Sequence, residues 1–127
     1  MSKPLLAVIV EDSPTQARQI KANLARFNVE SIIAPDGPDG LRAVDEHQPD
    51  LVVLDVNLPT MDGFQVCRRL KRDPRTANIP VIMLTMEDNS EATLEGLDAG
   101  ADDYIPKDMF AAENLLSTLE ALGLLQK

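Results

Sequence analysis

Four residues whose side chains could do chemistry lie far apart in this sequence, each at or just after the end of a short apolar run. They are Asp12, Asp55, Thr85 and Lys107, and Glu11 directly precedes the first of them. Carboxylate oxygens are ligands that a hard divalent cation takes, and a phosphoryl group in transfer needs positive charge beside it. If brought together, these side chains would therefore suit a site for a divalent cation and a phosphoryl group.

The apolar runs indicate which elements would bring these residues together. Residues 5–10, 51–54 and 81–84 are apolar at every position, as strands of a parallel sheet covered on both faces are. Strand and helix patterns alternate five times, which favours a doubly wound α/β domain with five parallel strands and five helices. Because the carboxyl ends of such strands share one edge of the sheet, the acids, the threonine and the lysine are predicted to meet there.

Capping residues and helical periodicity predict the remaining elements. Ser13 is the expected N-cap of the first helix, with Pro14 at its first position and Gln16 closing a capping box. Asp108 can cap the last helix. The second and fifth strands are predicted at 29–34 and 103–105. The apolar positions of the helices are Ala17, Ile20, Leu24, Phe27, Leu41, Val44, Val66, Cys67, Leu70, Leu94, Leu97, Ala99, Leu115, Leu116, Leu119 and Leu122.

Size and composition limit the possible classes of protein. The chain has 127 residues and 44% hydrophobic content, which suits a single domain over residues 1–127. No apolar run approaches the ~20 residues of a membrane span, and the first residues lack a secretory apolar region, so a cytoplasmic location is expected. The single cysteine, Cys67, is interpreted as a small buried hydrophobe.

The charge is negative overall and unevenly distributed. A net charge of −9 argues against direct nucleic-acid binding, which depends on Lys and Arg. Ten acidic residues and one basic residue lie between Glu87 and Glu120, so a basic partner is expected for this part of the chain. Five of the twelve basic residues fall within 68–75, a stretch interpreted as a solvated helix face.

Four segments in order resemble the receiver domain of a two-component response regulator, over almost the whole chain. They are VIVEDS at 8–13, DLVVLD at 50–55, VIMLT at 81–85 and GADDYIPK at 100–107. The resemblance implies a flavodoxin-like sheet with strand order 2-1-3-4-5. It also implies that the domain accepts a phosphoryl group and is no enzyme beyond its own phosphotransfer and autodephosphorylation.

The resemblance assigns roles to particular residues. Asp55 would take the phosphoryl group from the phosphohistidine of a sensor histidine kinase or a phosphotransfer protein, with Thr85 and Lys107 completing the catalytic set. Mg²⁺ would be held by Glu11, Asp12, Asp55 and Asn57. The pair Asn57 and Glu87 resembles that of fast-hydrolysing chemotaxis regulators, which implies a short-lived phosphorylated state.

Thr85 and Tyr104 would form the switch. In the family, an aromatic residue at the Tyr104 position turns inward when the threonine moves toward the phosphoryl group. The change would reach the surface of the fourth helix, fifth strand and fifth helix, where a downstream protein or a second copy of the chain would bind. A plain packing role for Tyr104 stays open.

One junction departs from the family pattern. Receivers normally have Pro directly after the lysine, with a cis bond, whereas here Pro106 precedes Lys107 and Asp108 follows it. A cis bond before a residue other than proline costs ~3–4 kcal/mol. Either the fold bears that strain or the loop is rebuilt.

Three other functions compete with that of a phosphorylated receiver. A haloacid-dehalogenase-type phosphohydrolase needs a second aspartate two residues after the first, where this chain has Asn57. A nucleotide-binding flavodoxin-like protein needs a glycine-rich loop after the first strand, where this chain has acids. A pseudo-receiver, an interaction module that is never phosphorylated, is favoured weakly by the altered lysine junction, but the presence of Asp55, Thr85 and Lys107 argues against it. Incubation with a small-molecule phosphoryl donor would discriminate.

Overall fold

The fold alternates strands and helices along the chain, in a computed structural model that describes residues 4–86 and 89–125. The elements are β1 (Leu5–Val10), α1 (Pro14–Arg26), β2 (Val29–Ala34), α2 (Gly37–His47), β3 (Leu51–Leu54), α3 (Gly63–Arg72), β4 (Val81–Thr85), α4 (Ser90–Asp98), β5 (Asp103–Pro106) and α5 (Ala111–Ala121). The sheet is parallel with strand order β2-β1-β3-β4-β5, which confirms the predicted flavodoxin-like topology. Within the described residues, no helix is both long and apolar enough to cross a membrane.

Two apolar layers cover the sheet, because side chains of a strand point alternately to its two faces. In β3, Val52 and Leu54 pack with residues of α2 and α3, whereas Leu51 and Val53 pack with residues of α1 and α5. All four are buried. The strands are therefore apolar at every position because both faces of the sheet are covered.

The start of α1 differs in part from its prediction. Ser13 caps the helix and accepts from the Gln16 N–H at 3.3 Å, as expected. The prediction of a capping box is wrong. The Ser13 N–H donates to Glu11 Oε2 at 3.1 Å, and the Gln16 side chain accepts from Lys107 instead. A full capping box forms at α3, where the sequence analysis had not predicted one, between Asp62 and Gln65.

Asp108 does not cap the last helix. The N-cap of α5 is Phe110, which makes no side-chain cap bond, and Asp108 Oδ1 accepts from the Phe110 N–H at 2.8 Å. A turn thus separates Lys107 from the helix. Gly100 and Gly123 each follow the C-cap of a helix, and their φ values of 101° and 77° lie in the left-handed region that favours glycine.

The basic stretch is not uniformly solvated. The Lys71 side chain is only 19% exposed, and its ammonium donates to Ile79 O at 2.8 Å, Ala77 O at 3.2 Å and Asp102 Oδ2 at 3.0 Å. Asp102 Oδ2 also accepts from the Val81 N–H at 2.8 Å. The interpretation of this residue as part of a solvated face is therefore wrong, and Lys71 joins α3 to the amino end of the sheet.

Candidate functional site

Three carboxylates gather where β1 and β3 end. The two strands pair with Val10 opposite Leu54, so the acids that follow each strand are neighbours. The Asp55 N–H continues the pairing by donating to Val10 O at 3.0 Å. One oxygen from each of Glu11, Asp12 and Asp55 lies within 4.8 Å of the others. Glu11 and Asp55 are buried, and Asp12 is exposed to solvent.

Lys107 brings a positive charge to these carboxylates. Its backbone N–H donates to Thr85 O at 2.8 Å, which fixes the start of its loop beside the end of β4. Its ammonium group lies 3.0 Å from Asp55 Oδ2 and also donates to Glu11 Oε1 and Gln16 Oε1. The Lys107 side chain is 11% exposed, so these contacts are largely shielded from water.

The reversed order of Pro106 and Lys107 does not keep the lysine from Asp55. Within residues 4–86 and 89–125 no peptide bond is cis. The loop is thus rebuilt with trans bonds, and the Asp108 N–H donates back to Pro106 O at 3.0 Å. The sequence left open a strained cis bond or a rebuilt loop, and the structure has the rebuilt loop.

The environment of Glu11 changes its acidity. Burial raises the pKa of its carboxyl group above the ordinary value, and the Asp55 carboxylate adds to the rise. The hydrogen bonds from Lys107 and from the Ser13 N–H oppose it. The Glu11 carboxylate is thus shared between the start of α1, through Oε2, and the lysine, through Oε1.

A close backbone approach holds the loop that follows Asp55. The Gly63 N–H donates to Val56 O at 2.8 Å. A Cβ at Gly63 would lie 2.1 Å from the Asp55 carbonyl oxygen, which no side chain permits. Position 63 therefore needs glycine, a requirement that the sequence analysis missed although a glycine directly after the Asp62 cap was visible.

The other predicted site residues lie around this cluster. Thr85 is fully buried at the last position of β4, and Asn57 is exposed in the loop two residues after Asp55. Tyr104 is half-buried in β5, paired with Met83 and thus two residues before the edge. Its ring packs closely on α4, since a Cβ at Gly96 would lie 2.7 Å from Tyr104 Cδ2. Glu87 lies outside the described residues.

These residues fit a divalent cation by their chemistry. Carboxylate oxygens from three residues converge within one coordination sphere, and hard cations take ligands of this kind. Two of the three acids are buried, where carboxylates need a compensating positive charge.

Comparisons with known proteins agree with the resemblance to receiver domains. The family model described as the response regulator receiver domain matches residues 7–120. The DNA-binding dual master transcriptional regulator RpaA of Synechocystis is 42% identical over 115 residues, which are 91% of this chain and 47% of that protein. The chain thus spans about half the length of the curated relatives it matches.

Solved structures share the fold. The activated N-terminal receiver domain of RstA from Klebsiella pneumoniae, bound to beryllofluoride, has a TM-score of 0.83 at 32% identity, covering 95% of this chain and 99% of that one. The receiver domain of a sensor histidine kinase from Pseudomonas aeruginosa has a TM-score of 0.84 at 25% identity, covering 94% and 98%. That structure has a magnesium ion coordinated in its active site cleft.

Proposed function

Since the chain belongs to the family of response regulator receiver domains, we propose that Asp55 accepts a phosphoryl group from the phosphohistidine of a sensor histidine kinase or a phosphotransfer protein. One observation carries the proposal: the buried Asp55 carboxylate lies 3.0 Å from the Lys107 ammonium, beside two further acids. A bond forms from an Asp55 oxygen to phosphorus while the bond from phosphorus to the imidazole nitrogen breaks, and the electron pair stays on the imidazole.

The roles of the neighbouring residues follow from charge. Lys107 offsets negative charge on Asp55 and on the incoming phosphoryl oxygens, and Thr85, at the last position of β4, would donate a neutral hydrogen bond from its hydroxyl. Glu11, Asp12, Asp55 and Asn57 would hold Mg²⁺, an assignment that the convergent acids support. Bound there, Mg²⁺ would supply the further positive charge that phosphoryl transfer needs.

The test is phosphorylation by a small molecule, which needs no kinase. Incubation with acetyl phosphate and Mg²⁺ should add one phosphoryl group to the wild-type chain by intact mass, and chelation of the cation should abolish the addition. Asp55→Asn should remain unmodified, and Asp98→Asn, an exposed aspartate on α4, should behave as wild type. Modification of Asp55→Asn would show that the acceptor lies elsewhere, and an unmodified wild type would favour a pseudo-receiver.

The phosphorylated state is proposed to be short-lived. Asn57, and Glu87 outside the described residues, stand two positions after the acceptor and after Thr85, where polar side chains can position water near the acyl phosphate. The phosphoryl group should therefore be lost without an added phosphatase. A half-life of many hours in Mg²⁺ at neutral pH would reject this proposal.

The output is proposed to leave through the α4-β5-α5 face, the surface of Ser90–Asp98, Asp103–Pro106 and Ala111–Ala121. Tyr104 lies in this face and packs on α4, so a movement of Thr85 could change how the ring and the helix fit together. Leu94 and Leu97 are exposed there among acidic residues, which suits a basic downstream protein or a second copy of the chain. Direct nucleic-acid binding by this domain stays excluded in the proposal because of its net charge of −9.

Amide exchange tests this output. With beryllofluoride and Mg²⁺, protection should change within residues 85–116, and changes confined to α1 and α2 would place the output elsewhere. Binding to a basic partner should weaken with added salt, because exposed charges are screened beyond ~10 Å at 0.1 M.

A further inference from the structure

The position of the Lys107 ammonium depends on contacts made by its side chain. Its backbone is anchored to Thr85 O at 2.8 Å, but several rotatable bonds separate that anchor from the charged nitrogen. The loop around Lys107 has trans bonds throughout, so a cis bond after the lysine does not direct the side chain here. The oxygens at its tip must therefore fix where the charge lies.

Three side-chain oxygens in the described part of the chain accept hydrogen bonds from that ammonium. They belong to Glu11, Asp55 and Gln16. An ammonium group has three donors, so this set can satisfy it completely. Glu11 and Asp55 are acids proposed to hold the cation and the phosphoryl group, and their charges will be drawn toward those ligands. Gln16 is the uncharged member of the set and lies outside the acid cluster.

Gln16 is itself held in place. It sits in the first turn of α1, where its N–H donates to the capping Ser13 side chain at 3.3 Å. Its amide is not used in a capping box, because Glu11 Oε2 takes the Ser13 N–H at 3.1 Å. The side chain is half-buried and reaches from α1 to the loop after β5. A fixed helix turn thus presents a neutral oxygen to the lysine.

We propose that Gln16 is a positioning residue that holds the Lys107 ammonium beside Asp55 while Glu11 and Asp55 engage the cation and the phosphoryl group. This inference rests on the proposed function and deepens it. Gln16 acts through Lys107 alone. Its removal should therefore affect phosphorylation only when Lys107 is present.

The experiment compares Gln16→Met, which keeps the length of the side chain but lacks the oxygen, with Gln19→Met as a matched control. Gln19 is an exposed residue of the same helix, and it lines one surface groove together with Gln16 and Lys107. Phosphorylation by acetyl phosphate with Mg²⁺ should slow about fivefold in Gln16→Met, the loss of about one hydrogen bond, and stay unchanged in Gln19→Met. In a Lys107→Ala background, Gln16→Met should cause no further slowing. Equal slowing in both backgrounds would overturn the proposal.

A second measurement keeps the proposal separate from the proposed function. The ¹³C relaxation of the Lys107 Cε methylene reports how ordered the side chain is, whether or not the protein is phosphorylated. Order should fall in Gln16→Met and be restored in Gln16→Glu, which returns an acceptor oxygen. If wild type takes no phosphoryl group, the proposed function fails, and this order parameter still decides the role of Gln16. Unchanged order in a folded Gln16→Met protein would reject that role.

Discussion

Two half-buried lysines at opposite ends of the sheet are both surrounded by oxygens, but the oxygens differ in kind. Lys71, at the amino end, donates to the backbone carbonyls of Ala77 and Ile79 and to Asp102. The Lys107 ammonium, at the carboxyl end, donates to side chains only among its described partners. Their side chains are 19% and 11% exposed, so burial does not distinguish them.

The difference separates a lysine with a structural role from a lysine whose partners can also bind another cation. Backbone carbonyls cannot turn away without moving the chain, so the partners of Lys71 are fixed by the fold. The carboxylates of Glu11 and Asp55 can rotate toward another ligand, so these partners of Lys107 can accommodate a second cation. Lysine thus ties elements together at the amino end of the sheet, and at the carboxyl end it places a charge beside acids that can also bind a second cation.

Removal of Lys71 should have the largest effect on stability. Lys71→Met removes the ammonium from the Ala77 and Ile79 carbonyls and from the Asp102 carboxylate, and we expect the free energy of unfolding to fall by about 2–3 kcal/mol. Urea unfolding measures this loss, with and without Mg²⁺. The loss should be the same in both conditions. A loss smaller than that of Lys107→Met would contradict the comparison.

A divalent cation should restore the stability that is lost when Lys107 is removed. Without divalent ions, Lys107→Met leaves three neighbouring carboxylates without the lysine's positive charge. The change should destabilise the fold by about 1–2 kcal/mol. Mg²⁺ should raise the melting temperature of the wild type, and it should raise that of Lys107→Met by more, since binding stabilises the folded state. A Mg²⁺-induced shift equal to that of Lys71→Met would remove the distinction between the two lysines.

Neutralising the acid beside each lysine should change stability in opposite directions. Without divalent ions, Asp55→Asn relieves repulsion with Glu11 and Asp12 and should be neutral or stabilising by up to about 1 kcal/mol. Asp102→Asn weakens both the Lys71 ion pair and the bond from the Val81 N–H, and should destabilise by about 1 kcal/mol. Chemical unfolding of both variants checks the signs. A clear loss of stability in Asp55→Asn would indicate a structural role for that residue.

The ends of the sheet also differ in how far the sequence predicts them. The apolar runs predict the strands, and the shared edge of parallel strands predicts the meeting of Glu11, Asp12 and Asp55. The Lys71 contacts could not be predicted, because every residue has a backbone carbonyl and the sequence does not show which carbonyls come near a lysine. Its place in a basic stretch favoured the wrong interpretation.

Local competition explains the remaining differences. Gln16 stands where a capping box would use it, but Glu11 takes the same N–H and leaves the amide to Lys107. Asp108 likewise bonds one residue before α5 begins, because a turn intervenes. Each outcome depends on which of several adjacent acceptors lies within hydrogen-bond distance of a donor, and the order of residues alone does not determine this.

The smallest expected effect uses Cys67 as a reporter for the Lys71 end. Burial raises the pKa of its thiol from 9.0 to about 11, and the neighbouring charges of Lys71 and Asp102 modify it. The unfolded thiol ionises first, so stability from this group is complete below pH 9 and is lost as pH rises toward 11. Between pH 8 and pH 9.5 the loss should be under about 1 kcal/mol.

Cys67→Ala should remove that part of the pH dependence, whatever its own cost in stability. Thiol labelling at pH 8 supplies the comparison with Lys107, because Cys67 is fully buried and reacts only when its surroundings open. Lys71→Met should accelerate labelling strongly, since Lys71 ties α3 to the amino end of the sheet. Lys107→Met should accelerate it far less, especially with Mg²⁺ present. Equal acceleration by both variants would mean that the two ends open together and that the structural lysine is not distinct.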